Sequence, residues 1–174
     1  MFQIFLGYLF VFFHVKINGI DLLANFIGYA LIYAGLCQLL LLGDNAPFKK
    51  AKPLAILMIA ADLLGIALGV LGASSVLWIM FNTLFTAVSL YLMLCIDKGI
   101  CQLEQKHGWP MNGAKLLRLW AVQAALNVGA ILLSFIPVEA MAVMSSLLTV
   151  GVLIANIVFL VWLYGANKVI EANR

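Results

Sequence analysis

The chain has 174 residues, of which 66% are hydrophobic and only 10% are charged, and its net charge is +3. This composition excludes a soluble globular domain and predicts an integral membrane protein whose first partner is the lipid bilayer. The length suits one helical bundle, and so small a positive charge gives no reason to expect a nucleic-acid partner.

Six apolar runs follow one another along the chain. The first is shorter than the roughly 20 residues that a transmembrane helix needs, and the other five reach that length. The runs cover residues 2–15, 22–42, 53–73, 75–96, 116–136 and 140–165. We therefore predict an all-α fold, a polytopic bundle of six transmembrane helices that forms a single integral membrane domain over residues 1–174.

The basic residues predict how these helices are oriented. Nine of the ten Lys and Arg residues fall in alternate connections or after the last run, and only Lys16 falls on the other side. Because basic residues concentrate on the cytoplasmic side, six spans place both termini in the cytoplasm and the protein in the cell membrane. If residues 2–15 do not cross, the N-terminus moves outside and the other five spans keep their orientation.

Asp62 is an acidic residue near the middle of the third run. Helical rise places it about 14 Å from each end, close to the middle of a hydrocarbon core about 30 Å thick. Insertion scales assign such a residue a cost of roughly 2.5–3.5 kcal/mol, so it is usually paired, protonated or functional. Two interpretations follow. Asp62 is either a protonated side chain that donates a hydrogen bond to a neighbouring helix, or a carboxylate that binds a proton, a cation or a substrate.

Small residues recur every four positions in the same run, at Ala61, Gly65, Gly69 and Ala73. This spacing lets two helix backbones approach closely and predicts a helix-packing face. Gly69 and Ala73 lie within about 20° of Asp62 around the helix axis. We therefore expect Asp62 to face packed protein and not lipid.

Polar residues at helical spacing mark one face of several other runs. They predict either a polar cavity that contains Asp62 or ordinary interhelical hydrogen bonds, worth about 0.6 kcal/mol each. These faces hold Asn25, Tyr29, Tyr33, Asn82, Thr86, Ser89, Gln123, Asn127, Ser134, Thr149 and Asn156. Amides cost the most to bury, so they are the best candidates for a binding site. The predicted substrate-binding residues are Asp62, Asn82, Thr86, Gln123, Asn127 and Asn156.

Known catalytic motifs are absent from the sequence. An intramembrane aspartyl enzyme needs two carboxylates, and Glu139 and Asp21 fall near the outer ends of their runs, away from Asp62. We therefore expect no enzymatic activity and no cofactor. His14 and His107 fall on opposite sides and the three cysteines have no CxxC spacing, so we also expect no metal site.

The connection after the first run forms the predicted outer loop. It holds Asn18, Gly19 and Asp21, and the Asn-Gly pair suits a tight turn. This loop either receives an extracellular ligand or is a plain solvated connection.

Part of this region carries a resemblance to a known group of proteins. INGIDLL at residues 17–23 and FIGY at 26–29 resemble the INGIDLLPDFIGY-like segment of uncharacterised small multipass membrane proteins of Gram-positive bacteria. In this chain Ala24 and Asn25 stand where that segment has Pro and Asp. The resemblance implies a bacterial inner-membrane location and draws attention to the three outer-loop residues, and it implies no activity.

Two functions are consistent with these patterns. In the first, the protein binds or transports a small solute or ion at a polar intramembrane site around Asp62. In the second, it is a non-catalytic assembly, immunity or regulatory subunit. Such a subunit docks a membrane-protein partner, or a second copy of itself, through the small-residue face of the third run. Loss of uptake in Asp62→Asn would favour the first.

Overall fold

The computed structural model describes residues 1–12, 16–17, 20–21, 25–41, 43–72, 74–134 and 140–173. Within these ranges the chain forms six α-helices, one at each apolar run, so the all-α prediction is confirmed. The helices are α1 (Phe2–Phe12), α2 (Asn25–Leu40), α3 (Ala46–Val70), α4 (Ser75–His107), α5 (Gly113–Ser134) and α6 (Ala140–Ala172). Between α1 and α2 in the sequence, two-residue strands β1 (Lys16–Ile17) and β2 (Ile20–Asp21) pair antiparallel.

Four of these helices, α3 to α6, are long and apolar enough to cross a membrane. They make the chain a multipass membrane protein. α1 has 11 residues and α2 has 16, which correspond to about 16 Å and 24 Å of helix. Both lengths are below the thickness of a hydrocarbon core of about 30 Å. Six full crossings therefore remain a prediction.

Helix ends differ from the ends of the apolar runs because local capping decides where a helix begins and ends. α3 begins well before its apolar run, since the Asn45 side chain accepts the Phe48 N–H at 3.2 Å and caps the first turn. α4 continues past its run as far as Gly108, which adopts a left-handed conformation with φ of 70° and ends the helix. Much of residues 43–52 and 97–115, the connections that follow the second and fourth apolar runs, is therefore helical.

The six helices form a closed ring in which neighbours run antiparallel, and α6 packs against α1. Phe5 near the start of α1 lies 5.3 Å from Tyr164 between ring centroids, and Phe12 at its end lies 5.9 Å from Phe159. The start of α1 and the end of α6 are therefore at the same end of the bundle.

The closest helix contact joins α1 and α2. A Cβ atom on Gly7 would lie 2.5 Å from the carbonyl oxygen of Gly28, and one on Gly28 would lie 2.7 Å from the carbonyl oxygen of Gly7. Two helical turns further along α2, a Cβ atom on Gly35 would lie 2.5 Å from the Ile4 side chain. The two short helices can touch backbone to backbone only because these positions are glycine.

Burial differs strongly between the two ends of the bundle. At the end that holds the start of α3 and the last turns of α4, Phe48, Leu92 and Ile100 are completely buried. At the opposite end, Val70 is 84% exposed and Leu71 is 80% exposed. Large apolar side chains exposed in this way suit contact with lipid acyl chains. The polar residues described next lie between these two regions.

Candidate intramembrane binding site

A cavity of about 330 Å³ lies inside the ring of helices. Side chains from α1, α2, α4, α5 and α6 converge on it, and its polar lining consists of amides and hydroxyls. These polar lining residues are Tyr8, Asn25, Tyr29, Asn82, Thr86, Ser89, Gln123, Asn127 and Asn156.

Five of the six predicted binding residues line this one cavity, although they come from three different helices. They are Asn82, Thr86, Gln123, Asn127 and Asn156. The sixth, Asp62, contacts the cavity indirectly, because it is hydrogen-bonded to Asn25, which lines the cavity. The structure thus brings the predicted set together, and a binding role for it remains a prediction.

Asp62 contacts the N-terminus of α2. Its two carboxylate oxygens accept hydrogen bonds from Nδ2 of Asn25 at 3.3 Å and from the main-chain N–H of Phe26 at 2.8 Å. The first N–H groups of a helix have no partner within the helix, and the positive end of the helix dipole favours an acidic group. Both contacts are with N–H donors, so among the described residues Asp62 acts as a hydrogen-bond acceptor and not as the donor of the first interpretation.

Gln123 of α5 is the most deeply buried amide of the cavity, with only 2% of its surface exposed. Its Nε2 donates a 2.7 Å hydrogen bond to Oδ1 of Asn156, which ties α5 to α6. Its own Oε1 is buried and has no hydrogen-bond partner in the described part of the chain. Asn127, one turn later, donates to the main-chain oxygen of Gln123 at 2.8 Å.

Two tyrosines complete the cavity wall, and neither is among the substrate-binding residues predicted from the sequence. The Tyr29 hydroxyl lies 3.3 Å from Oγ of Ser89, and the Tyr8 hydroxyl is buried without a hydrogen-bond partner among the described residues. Tyr29 belonged to a polar helix face visible in the sequence. Tyr8 stood in the shortest apolar run, where a single hydroxyl gives little periodic signal.

Asp97 is a second buried carboxylate, and the sequence interpretation missed it. It was assigned to the connection after the fourth run, but α4 continues through it and its exposure is 0%. Both of its oxygens are without a hydrogen-bond partner within the residues that the structure describes. Asp97 lies one helical turn, about 6 Å along the axis, beyond Met93, which lines the cavity. The buried apolar residues that follow it, Ile100 and Leu103, were the available signal.

The predicted packing face of α3 is used only in part. A Cβ on Gly65 would lie 2.9 Å from Cε1 of Phe81 on α4, so this glycine admits a close contact. Gly69 has no atom within 4 Å of its Cβ position, so its assignment to helix packing is wrong for contacts inside the described chain. Ala61 is partly buried, and Ala73 lies outside the described residues.

The structure does not test the prediction that the outer loop receives a ligand. Asn18 and Gly19 lie outside the described residues. The strand register pairs Lys16 with Asp21 and Ile17 with Ile20, so Asp21 has a place in the backbone of β2.

Metal-ligating side chains do not cluster in the described ranges, where no three His, Cys, Asp or Glu residues lie close enough to hold an ion together. Cys37, Cys95 and Cys101 are free thiols. The polar chemistry of the described interior is thus that of amides, hydroxyls and two carboxylates.

Comparison of the chain with known protein families, with curated proteins and with solved structures finds no match. The function must therefore be inferred from the cavity itself.

Proposed function

We propose that this protein is a multipass protein of the bacterial cell membrane, with both termini in the cytoplasm, that binds or transports a small solute or ion. The site is the polar cavity between α1, α2, α4, α5 and α6. Asp62 holds the start of α2 against it, and the amides of α4, α5 and α6 contact the ligand.

The unpartnered Oε1 of Gln123 carries this proposal. Leaving a buried acceptor without a partner costs about 1–3 kcal/mol, and nothing in a hydrocarbon core offsets that cost. Packing alone would favour an apolar residue at this position. A group whose hydrogen bond is left open inside a cavity suits a site in which a ligand completes it.

The size of the cavity indicates a small ligand. At about 330 Å³ it lies near the lower end of the range of small-molecule sites. Such sites combine mainly apolar walls with a few convergent polar groups. Here the apolar part includes Phe12, Phe85 and Leu90.

A solute-entry assay tests the proposal. Proteoliposomes are exposed to an osmotic step with glycerol, urea, glycine, ammonium chloride or sodium acetate, and light scattering reports entry of each solute. We expect at least one solute to enter faster than into empty liposomes, and Gln123→Leu to slow that entry about tenfold or more. Binding without transport is detected as a solute-dependent rise in melting temperature that Gln123→Leu abolishes.

The control is Gln105→Leu, because Gln105 is an exposed amide near the end of α4 whose one side-chain hydrogen bond among the described residues is to the Cys101 sulfur at 3.9 Å. It should behave like the wild type. If no solute enters or stabilises the protein, or if Gln123→Leu matches the wild type throughout, the cavity is not a binding site.

A second candidate function is docking of a membrane-protein partner or of a second copy of the chain. The observation that favours it is Gly69, whose Cβ position meets nothing within 4 Å although its spacing suits close helix contact. Gly69→Leu should then weaken co-purification of the partner, or self-association measured by energy transfer between labelled copies. An unchanged result for both readouts would exclude this face as a docking site.

A further inference from the structure

The ligand class follows from the way in which the cavity amides are oriented. A carboxylate and a main-chain carbonyl can only accept hydrogen bonds, so an amide that bonds to either must present its NH2 group. Asn25 donates from its NH2 group to Asp62. Asn127 donates to the main-chain oxygen of Gln123, and Asn82 donates to that of Trp78. The partner thus determines which end of these three amides is already used, and Gln123 uses its NH2 group toward Oδ1 of Asn156.

The groups left for a ligand are consequently oxygens. The Oδ1 of Asn25 and the Oε1 of Gln123 are buried without a partner among the described residues, and both residues line the cavity. The Tyr8 hydroxyl, also open, can accept as well. Because the NH2 groups of Asn25 and Gln123 are engaged and their oxygens are open among the described residues, the cavity suits a ligand that donates hydrogen bonds.

Charge near the cavity has one sign. None of its described lining residues is Lys or Arg. Asp62 is bonded to the lining residue Asn25, and Asp97 lies one turn beyond the lining residue Met93 with both oxygens open. A cation placed beside a buried carboxyl group stabilises its ionised form, whereas an anion does not, so this side of the cavity favours a cation. The N-terminus of α2 offsets only part of the charge of Asp62.

Aromatic rings supply the remaining element of the wall. Tyr8 and Phe12 have ring centroids 5.4 Å apart, and Tyr29 and Phe85 have centroids 6.0 Å apart in an edge-to-face arrangement. All four residues line the cavity. Ring faces attract an organic cation and also accommodate its alkyl part.

We propose that the cavity binds a small protonated amine, whose N–H groups donate to the oxygens of Gln123 and Asn25 and whose charge is balanced by the neighbouring carboxylates, Asp97 above all. This inference rests on the proposed function and deepens it by naming the ligand class. It also gives Asp97 a role that no hydrogen bond within the described chain supplies.

Three ligands of one shape test the proposal, namely cyclohexylammonium, cyclohexanol and cyclohexanecarboxylate at neutral pH. Each is titrated calorimetrically into the full chain in lipid nanodiscs, with empty nanodiscs as the reference for partitioning. We expect the wild type to bind the ammonium at least about tenfold more tightly than the alcohol, and the carboxylate not to bind. A single charge-assisted hydrogen bond is large enough to produce this ratio.

The variants assign the preference to residues. Gln123→Met keeps the length of the side chain and should weaken the binding of cyclohexylammonium about tenfold. Asp97→Asn should remove the preference for cyclohexylammonium over cyclohexanol and leave the affinity for cyclohexanol unchanged. Gln123→Glu adds a carboxylate to the cavity and should tighten the binding of cyclohexylammonium. It therefore tests the same inference if Asp97→Asn does not fold. Gln105→Met should match the wild type, because that amide lies outside the cavity.

The outcomes separate this inference from the proposed function. If the alcohol or the carboxylate binds at least as tightly as the ammonium, and Gln123→Met weakens that binding, the cavity is a binding site but not one for cations. If none of the three ligands binds, the amine inference is overturned, and the solute-entry assay alone then decides the proposed function. An ammonium preference that survives in both Asp97→Asn and Gln123→Met would likewise overturn it.

Discussion

The carboxylate of Asp62 in α3 accepts the main-chain N–H of Phe26 at 2.8 Å, so a side chain from one helix caps the first turn of another. Asn25, the first residue of α2, donates its side-chain amide to the same carboxylate. α2 therefore begins at the level of Asp62, part of the way along α3. One acidic residue thereby fixes both the start of a short helix and the orientation of an amide that lines the cavity.

Replacing Asp62 by Ala should destabilise the protein by about 1–3 kcal/mol, because the N–H of Phe26 then lacks an acceptor in an apolar environment. Asp62→Asn should have a smaller effect, since its Oδ1 can still accept one of the two hydrogen bonds. Unfolding in detergent micelles measures the stability, and hydrogen exchange at the amide of Phe26 reports the cap directly.

The matched control for this prediction is Asp44→Ala. Asp44 forms a 2.7 Å ion pair with Lys49, but its side chain is 75% exposed and such pairs contribute little. A change below about 0.5 kcal/mol is expected there. Equal effects of the two alanine substitutions, or unchanged exchange at Phe26 in Asp62→Ala, would contradict a capping role.

Gly28→Ala should destabilise the contact between α1 and α2 by about 1–3 kcal/mol, the usual range for overpacking. The added Cβ would lie 2.7 Å from the Gly7 carbonyl oxygen and 2.7 Å from Cγ2 of Val11, so the helices must separate. Because Tyr8 and Asn25 come from these two helices, solute binding in the cavity should weaken as well.

Gly165→Ala is the corresponding control in α6, where no atom of the described residues lies within 4 Å of the Cβ position. Alanine there should be neutral or should stabilise the helix by up to about 1 kcal/mol. Thermal unfolding of the two variants in the same detergent compares them. A Gly28→Ala protein as stable as the wild type would show that the two backbones can separate without cost.

Composition and apolar run length were sufficient to predict the all-α fold and the positions of all six helices. Run length was a poor guide to helix ends, because Asn45 and Gly108 define those ends by capping and backbone conformation. Helical spacing identified eight of the nine amides and hydroxyls that line the cavity, all except Tyr8. It could not identify Asp97, since a charged residue at the end of an apolar run looks like the start of a loop.

The packing face was harder to predict for a physical reason. Small-residue spacing shows where a helix can be approached closely, but it does not identify the helix that approaches. In α3 only Gly65 meets a neighbouring side chain in this way, whereas the closest backbone contact forms between Gly7 and Gly28 of the two short helices.

The Gln123–Asn156 hydrogen bond should couple α5 to α6 by about 0.6 kcal/mol, and by no more than about 1.7 kcal/mol. A double-mutant cycle with Gln123→Leu, Asn156→Leu and the double variant isolates this term. Reversible unfolding in mixed micelles provides the four stabilities. A coupling energy indistinguishable from zero would contradict the 2.7 Å contact in solution.

Asp97→Leu should raise the stability of the ligand-free protein by about 1–3 kcal/mol. The wild-type side chain buries both carboxyl oxygens without a hydrogen-bond partner among the described residues, and burying a polar group without a partner costs about that much. Thermal and chemical unfolding of the purified full chain measure the difference. The same variant should lose its preference for an ammonium ligand, so that stability rises while the proposed binding falls.

Glu104→Leu on the same helix supplies the contrast, because its Oε2 accepts the main-chain N–H of Gly113 at 2.7 Å and so holds the start of α5. Removing that acceptor should lower the stability by about 1–3 kcal/mol. The same type of substitution, carboxylate to Leu, is thus expected to change stability in opposite directions at two positions seven residues apart on α4. If Asp97→Leu also destabilises the protein, Asp97 makes a compensating contact in the ligand-free state, and its oxygens are not available to a ligand.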